Sequence, residues 1–141
     1  MDFSLSNDQL AFKSMIQSFV TDKWTPFAHK WDVEKTLPVD ALKEAADLGL
    51  AGIYIENKLG GTGLGRLDAA LIFEELSTAC PSTAAFLSIH NMAAWMISKY
   101  GTKYQHETIL SKLISMDFIA SYCLTEPGSG SDSSSLSTSA K

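Results

Sequence analysis

The chain reads as an all-α protein whose last stretch begins something different. Three observations carry this. Over roughly the first 115 residues, apolar side chains recur every three to four positions, the period of one helix face. Two segments, Ser6-Asn7-Asp8-Gln9 and Thr102-Lys103-Tyr104-Gln105, have the form of a capping box. Only at Phe118 does the period turn to that of a strand. The expectation is five helices within residues 6–115, then one strand and a glycine- and serine-rich loop. That divides the chain into a helical domain, 1–115, and the start of a second, β-type domain, 116–141.

Element by element, Ser6 opens the first helix, whose stripe is Phe12, Met15, Ile16, Phe19, Val20, Trp24, Phe27 and Trp31. Pro26 falls inside that pattern and predicts a kink or a restart near Trp24. Pro38 suits the first turn of a second helix, with Leu42, Ala45, Ala46 and Leu48 inward and Gly49 as its stop. Ala51 to Ile55 reads as a short extended piece, and 57–66 as a glycine-rich loop. Residues 67–79 are apolar on most sides and predict a buried helix. Pro81 starts a fourth helix through Tyr100, ended by Gly101. Thr102 opens a fifth, amphipathic one through Ile109, Leu110, Leu113 and Ile114. The tail from Ser133 is serine-rich with little to bury.

Composition narrows the partners. The chain has 141 residues, 11 basic against 16 acidic, and a net charge of −5. That balance argues against nucleic acid or an anionic membrane, which need a clustered basic face. The most apolar stretch, 84–97, is interrupted by Ser88, His90 and Asn91 and is too short to span a bilayer. Cys80 and Cys123 lie far apart without ligand spacing and read as reduced, intracellular thiols. No charged leader or Arg-rich presequence is evident at Met1-Asp2-Phe3, so any targeting segment is expected to have been removed or never present. His29, His90 and His106 sit on separate segments, so no metal site is expected.

Four motifs bear on chemistry. Gly60 and Gly65 have the spacing of a phosphate-binding loop, but that motif needs Lys and then Ser/Thr where Arg66 and Leu67 stand. The stretch reads instead as a turn between packed helices. Glu74 and Glu75 are adjacent, point about 100° apart on a helix and cannot face each other as an acid/base pair. A structural pairing, with Arg66 or Lys99, is expected. His90-Asn91, mid-helix among apolar residues, is either a hydrogen-bonded core pair or a polar patch lining a ligand cavity. The segment Thr125-Glu126-Pro127-Gly128-Ser129-Gly130-Ser131-Asp132 carries the strongest signal. Its glycines allow close approach to a ligand, and its amides and hydroxyls suit phosphate or carbonyl oxygens, while the same composition also fits a flexible linker.

T-E-P-G-x-G-S-D after a short apolar run, behind five helices, resembles the acyl-CoA dehydrogenase family. The likeness covers the whole chain. The S-x-x-Q opening, Trp31-Asp32, Leu48-Gly49, Leu59-Gly60-Gly61-Thr62-Gly63-Leu64 and Phe73-Glu74-Glu75-Leu76 fall in the family's order. Ser88 to Met92, Ala94 to Ile97 and Tyr122 to Asp132 are most like members acting on short branched acyl-CoA thioesters. The resemblance implies an FAD enzyme of valine breakdown that introduces an α,β double bond into an isobutyryl-CoA-like substrate. Electrons would pass to an electron-transfer flavoprotein, and the full-length enzyme would be a homotetramer of the mitochondrial matrix. It implies cofactor contacts from Tyr122, Cys123, Leu124, Thr125, Glu126, Pro127, Gly128, Ser129, Gly130 and Ser131. It implies substrate contacts from Ser131 and, on the helix walling the acyl pocket, from His90, Asn91 and Trp95.

The family's order of domains is helical, then β, then a C-terminal helical bundle that carries the catalytic carboxylate. Only the first domain and the first strand of the second match here. No catalytic residue is therefore assigned, and neither Glu74 nor Glu75 inherits that role. By itself the chain is expected to be inactive. Two other functions fit the same residues: a non-catalytic helical interaction module, and an acyl-CoA oxidase.

Overall fold

The computed structural model describes residues 4–140; Met1 to Phe3 and Lys141, which the sequence reading placed in its two domains, lie outside the described residues. Helix α1, Asn7–Lys23, starts on a complete capping box, with the Ser6 hydroxyl accepting from the Gln9 amide and the Gln9 side chain returning to the Ser6 amide. The expected restart falls at Trp24. Helix α2, Thr25–Glu34, begins there with Pro26 in its first turn, so the unit has six helices rather than five. Proline lacks the amide the α1 ladder would need, and in a first turn that amide is dispensable.

Helix α3, Val39–Asp47, ends as expected at Gly49, whose φ is 79°. The Gly49 amide bonds Ala46 O and the Leu50 amide bonds Ala45 O, the paired closure of a helix that ends in left-handed backbone. Residues 51–55 are a run of turns rather than an extended piece, because Gly52 and Ile55 bond back to Gly49 and Gly52. Helices α4, Arg66–Ala79, and α5, Pro81–Tyr100, follow. Helix α6 covers 103–114: Lys103–Gln105 on the expected Thr102 capping box, a π turn over His106–Leu110, and Ser111–Ile114.

Helix α1 lies along α4, and α4 along α5. Their shared core gathers Ile16, Val20, Trp24, Leu42, Ala45, Leu50, Ile53, Ile72, Leu76 and Leu87, all essentially buried. At about 25 cal/mol per Å² of apolar surface, such burial is what drives these helices together. Trp24 is fully buried, while Phe19, Leu71, Phe86 and Ile97 are half-buried on the rims of the helices. A smaller cluster of Ile55, Ala94, Leu110 and Leu113 joins α6 to α5.

Among the described residues there is no strand. The segment 118–125, expected as one, is irregular, and beyond it the only β-type pairing is the bridge between Glu126 and Ser129. A strand is stable only with a ladder partner, and no described segment lies beside this one to supply it. Instead the segment lies against the helices through Ala120, which packs on the α5–α6 cluster, while Phe118, Ile119 and Tyr122 stay exposed. The Phe118 amide donates to Lys112 O at 2.9 Å, and the Lys112 ammonium sits 4.7 Å from the Phe118 ring centre.

Candidate functional site

The site is built where α5, α6 and the docked segment meet. Ala93, Met96 and Ile97 of α5, Ile109 and Leu113 of α6, and residues 117–122 line an apolar groove of about 680 Å³. Offsets of three and four bring the α5 positions to one face. Tyr122 stands at one end of the groove, and the chain then runs through Cys123, Leu124 and Thr125 into the turn.

The turn is closed on itself. Glu126 and Ser129 exchange both backbone hydrogen bonds at 3.0 Å across Pro127-Gly128. Ser129 is buried beneath the turn, and its hydroxyl donates to Asp132 O. The Asp132 carboxylate accepts from Ser134 and Ser135, which hold its carboxyl below the ordinary range. Glu126 accepts from the Ser137 amide and hydroxyl at 2.8 Å each and from the Thr138 amide at 3.0 Å. Hydrogen bonds from the Thr138 side chain, then from Ser137, bring its carboxyl down to about 2.

The outer rim of the turn is open. A Cβ placed on Gly128 or Gly130 would meet nothing within 4 Å. Among the described residues the amides of Gly128, Gly130 and Ser131 and the hydroxyls of Thr125 and Ser131 have no internal partner. Bare donors beside backbone without side chains are the chemistry that receives phosphate or ring carbonyl oxygens. The residues present therefore fit the flavin nucleotide that the resemblance implies.

The other expected contacts lie elsewhere. His90 is fully buried; its Nε2 donates to Leu113 O at 3.0 Å and its Nδ1 accepts from the Ala120 amide at 3.2 Å. Burial pushes its pKa down, against the Leu113 hydrogen bond, which favours the charged form. Asn91, also buried, accepts from the Ile53 amide at 2.8 Å and donates to Leu50 O and Leu87 O. The polar atoms of both are thus engaged within the chain. Trp95 is half-buried on another face of α5, outside the groove, where the Arg66 guanidinium lies 5.5 Å from its ring and 4.1 Å from that of Tyr54.

Glu75 does pair with a cation, but with Lys13 of α1 at 2.8 Å rather than with Arg66 or Lys99. That hydrogen bond lowers the Glu75 carboxyl below its usual value and outweighs its burial. Glu74 shares the ammonium at 3.6 Å. Ala93, Met96 and Ile109 belong to the groove although no motif marks them. Their signal was a second apolar stripe on α5 and α6, which core packing alone does not use up.

Residues 6–117 match the family described as "Acyl-CoA dehydrogenase, N-terminal domain". The chain belongs to the acyl-CoA dehydrogenase family, whose cofactor is FAD. It is 55% identical over 136 residues to the mitochondrial isobutyryl-CoA dehydrogenase of Dictyostelium discoideum and 46% identical to that of Bos taurus, alignments covering 96% of this chain and 33% of each relative. The glutaryl-CoA complex of glutaryl-coenzyme A dehydrogenase superposes with a TM-score of 0.89 at 31% identity, over 97% of this chain and 36% of that one. The FAD complex of PigA gives 0.87 at 30% identity, over 94% and 36%. The chain thus spans about a third of the length of the curated relatives it matches.

Proposed function

We propose that this chain is the substrate- and flavin-facing N-terminal part of an acyl-CoA dehydrogenase that oxidises a short branched, isobutyryl-CoA-like thioester to the 2,3-enoyl-CoA. One observation carries the reading: the wall of the apolar groove, 117–122, continues directly into a turn whose bare amides and hydroxyls face outward. An acyl group and a polar ring could therefore be held side by side. FAD, when bound, supplies the two-electron acceptor.

The chain's own residues bind and orient. The groove excludes water from the acyl carbons, which strengthens every polar contact at its edge. The Thr125 hydroxyl and the Leu124 backbone would meet the ring, and Ser131 would contact the acyl-CoA. Neither Glu75, held by Lys13, nor Glu126, held by Ser137 and Thr138, is free to act as the base that removes an α-proton. We assign that base, the homotetrameric assembly, the electron-transfer flavoprotein contact and the mitochondrial location to the longer enzyme.

A chimera tests the reading: residues 1–141 replace the matching segment of the Dictyostelium isobutyryl-CoA dehydrogenase. The expected product is a yellow protein that reduces an artificial acceptor with isobutyryl-CoA faster than with straight-chain butyryl-CoA. A folded chimera without flavin would overturn the reading in favour of a non-catalytic module. Hydrogen peroxide formation in place of dye reduction would overturn it in favour of an oxidase.

A further inference from the structure

We propose that His90 is a positioning residue, a latch whose imidazole fixes where the turn at 125–131 leaves the helical unit. The role of that turn toward flavin rests on the function proposed above; the latch itself does not.

The imidazole joins three elements. Carried by α5, it donates from Nε2 to Leu113 O near the end of α6 and accepts at Nδ1 from the Ala120 amide of the docked segment. The Ala120 amide can only donate, so Nδ1 must be the bare nitrogen and Nε2 must carry the proton. One neutral tautomer satisfies both contacts at once.

The position of Ala120 gives the contact its consequence. Phe118 is still tied to α6 through Lys112 O. Past Ala120, every hydrogen bond of the described residues up to 140 is made within the turn and tail: Glu126 with Ser129, Asp132 with Ser129, Ser134 and Ser135, and Glu126 with Ser137 and Thr138. The bond from Ala120 to His90 is therefore the last one between the helices and the turn. Beyond it no directional bond ties 121–131 to the helices, and most of that stretch is exposed. Charged groups on the packed elements are occupied elsewhere: the Lys112 ammonium over the Phe118 ring and the Asp117 carboxylate with the Ser115 hydroxyl. The adjacent Asn91 does a parallel job on another segment, tying α5 to Ile53 and Leu50.

Two substitutions separate the two nitrogens. His90→Gln places an amide where Nε2 lies and loses the acceptor for Ala120. His90→Asn places an oxygen where Nδ1 lies and loses the donor to Leu113. Amide hydrogen exchange of the 141-residue chain is expected to show the Ala120 amide exchanging about tenfold faster in His90→Gln, the factor for roughly one lost hydrogen bond. In His90→Asn that protection returns, although the packing lost is no smaller. Equal acceleration in both variants, spread over the helices, would mean a merely structural histidine and overturn the latch. Should neither variant fold, the wild-type imidazole 15N spectrum decides, since a proton on Nδ1 is incompatible with the proposal.

In the chimera, His90→Gln should weaken FAD binding by a comparable factor and His90→Asn should restore it. Unchanged FAD affinity in a yellow chimera, with exchange altered as expected, would overturn the link from latch to cofactor. Absence of FAD with His90 intact would instead count against the proposed function.

Discussion

Residues 60–65 and 128–131 are both glycine-rich turns, and the chain uses their glycines in opposite ways. In the first, a Cβ on Gly61 would lie 2.2 Å from Ile55 O and 2.4 Å from Ile55 Cβ. The turn is folded onto the preceding segment, with Thr62 bonding Gly52 O, Gly63 bonding Ile55 O and Leu64 bonding Ile53 O. Its missing side chains make room for the protein's own backbone. In the second, the space a Cβ would take is open and neither glycine has positive φ. Its missing side chains leave room for something outside the fold. Composition alone cannot tell these turns apart; what distinguishes them is whether the adjacent space is already filled.

The largest expected effect tests how firmly the first turn is bound. Asn91 is the buried side chain that receives the Ile53 amide and donates to Leu50 O. Asn91→Leu keeps the volume and strands both groups, at about 1–3 kcal/mol each. Denaturant unfolding should show the summed loss, and a midpoint near that of the wild type would break the picture of a tethered inner turn.

Next in size is the direct contrast of glycines. Gly61→Ala forces backbone against backbone and should destabilise by about 1–3 kcal/mol, the range for overpacked sites. Gly128→Ala and Gly130→Ala should leave the melting temperature unchanged or raise it slightly, by up to about 1 kcal/mol through a stiffer unfolded chain. In the flavin-binding chimera the order reverses, with the outer substitutions weakening FAD retention. Comparable loss of stability from Gly61→Ala and Gly130→Ala would erase the distinction.

The helical region is largely legible in the sequence. Ser6, Pro26, Pro38, Gly49, Pro81, Gly101 and Thr102 mark its helix boundaries through local chemistry, and local chemistry survives folding. What failed needed non-local facts. Strand character at 118–125 depends on a neighbour, so its alternation of side chains could not become a ladder here. The partner of Glu75 was sought on α4 and α5, whereas Lys13 comes from α1, brought near only by packing. The π turn at 106–110 has no sequence signal; His106 donating to Ile97 O at 3.1 Å accompanies it. At the candidate site, the turn announced itself by composition, but the engagement of His90 and Asn91 within the core depends on which carbonyls lie opposite α5.

The smallest expected effect on the whole fold concerns the tail that closes the outer turn. Glu126 is accessible, yet the Thr138 side chain, the Ser137 and Thr138 amides and the Ser137 hydroxyl converge on its carboxylate and bring its pKa from the usual 4.5 to about 2. A depressed folded pKa means that the contact contributes fully above pH 4.5 and is lost as pH falls through about 2. The Ser137 and Thr138 amide resonances should therefore titrate with a midpoint well below that of an ordinary glutamate. Helices α1 to α6 carry no part of this contact, so Glu126→Gln at neutral pH should loosen residues 137–138 while leaving the unfolding midpoint of the helical unit unchanged. A midpoint at the usual carboxylate value would show that the tail does not close over Glu126 in solution. The outer turn would then be open along its whole length rather than only at its glycine rim.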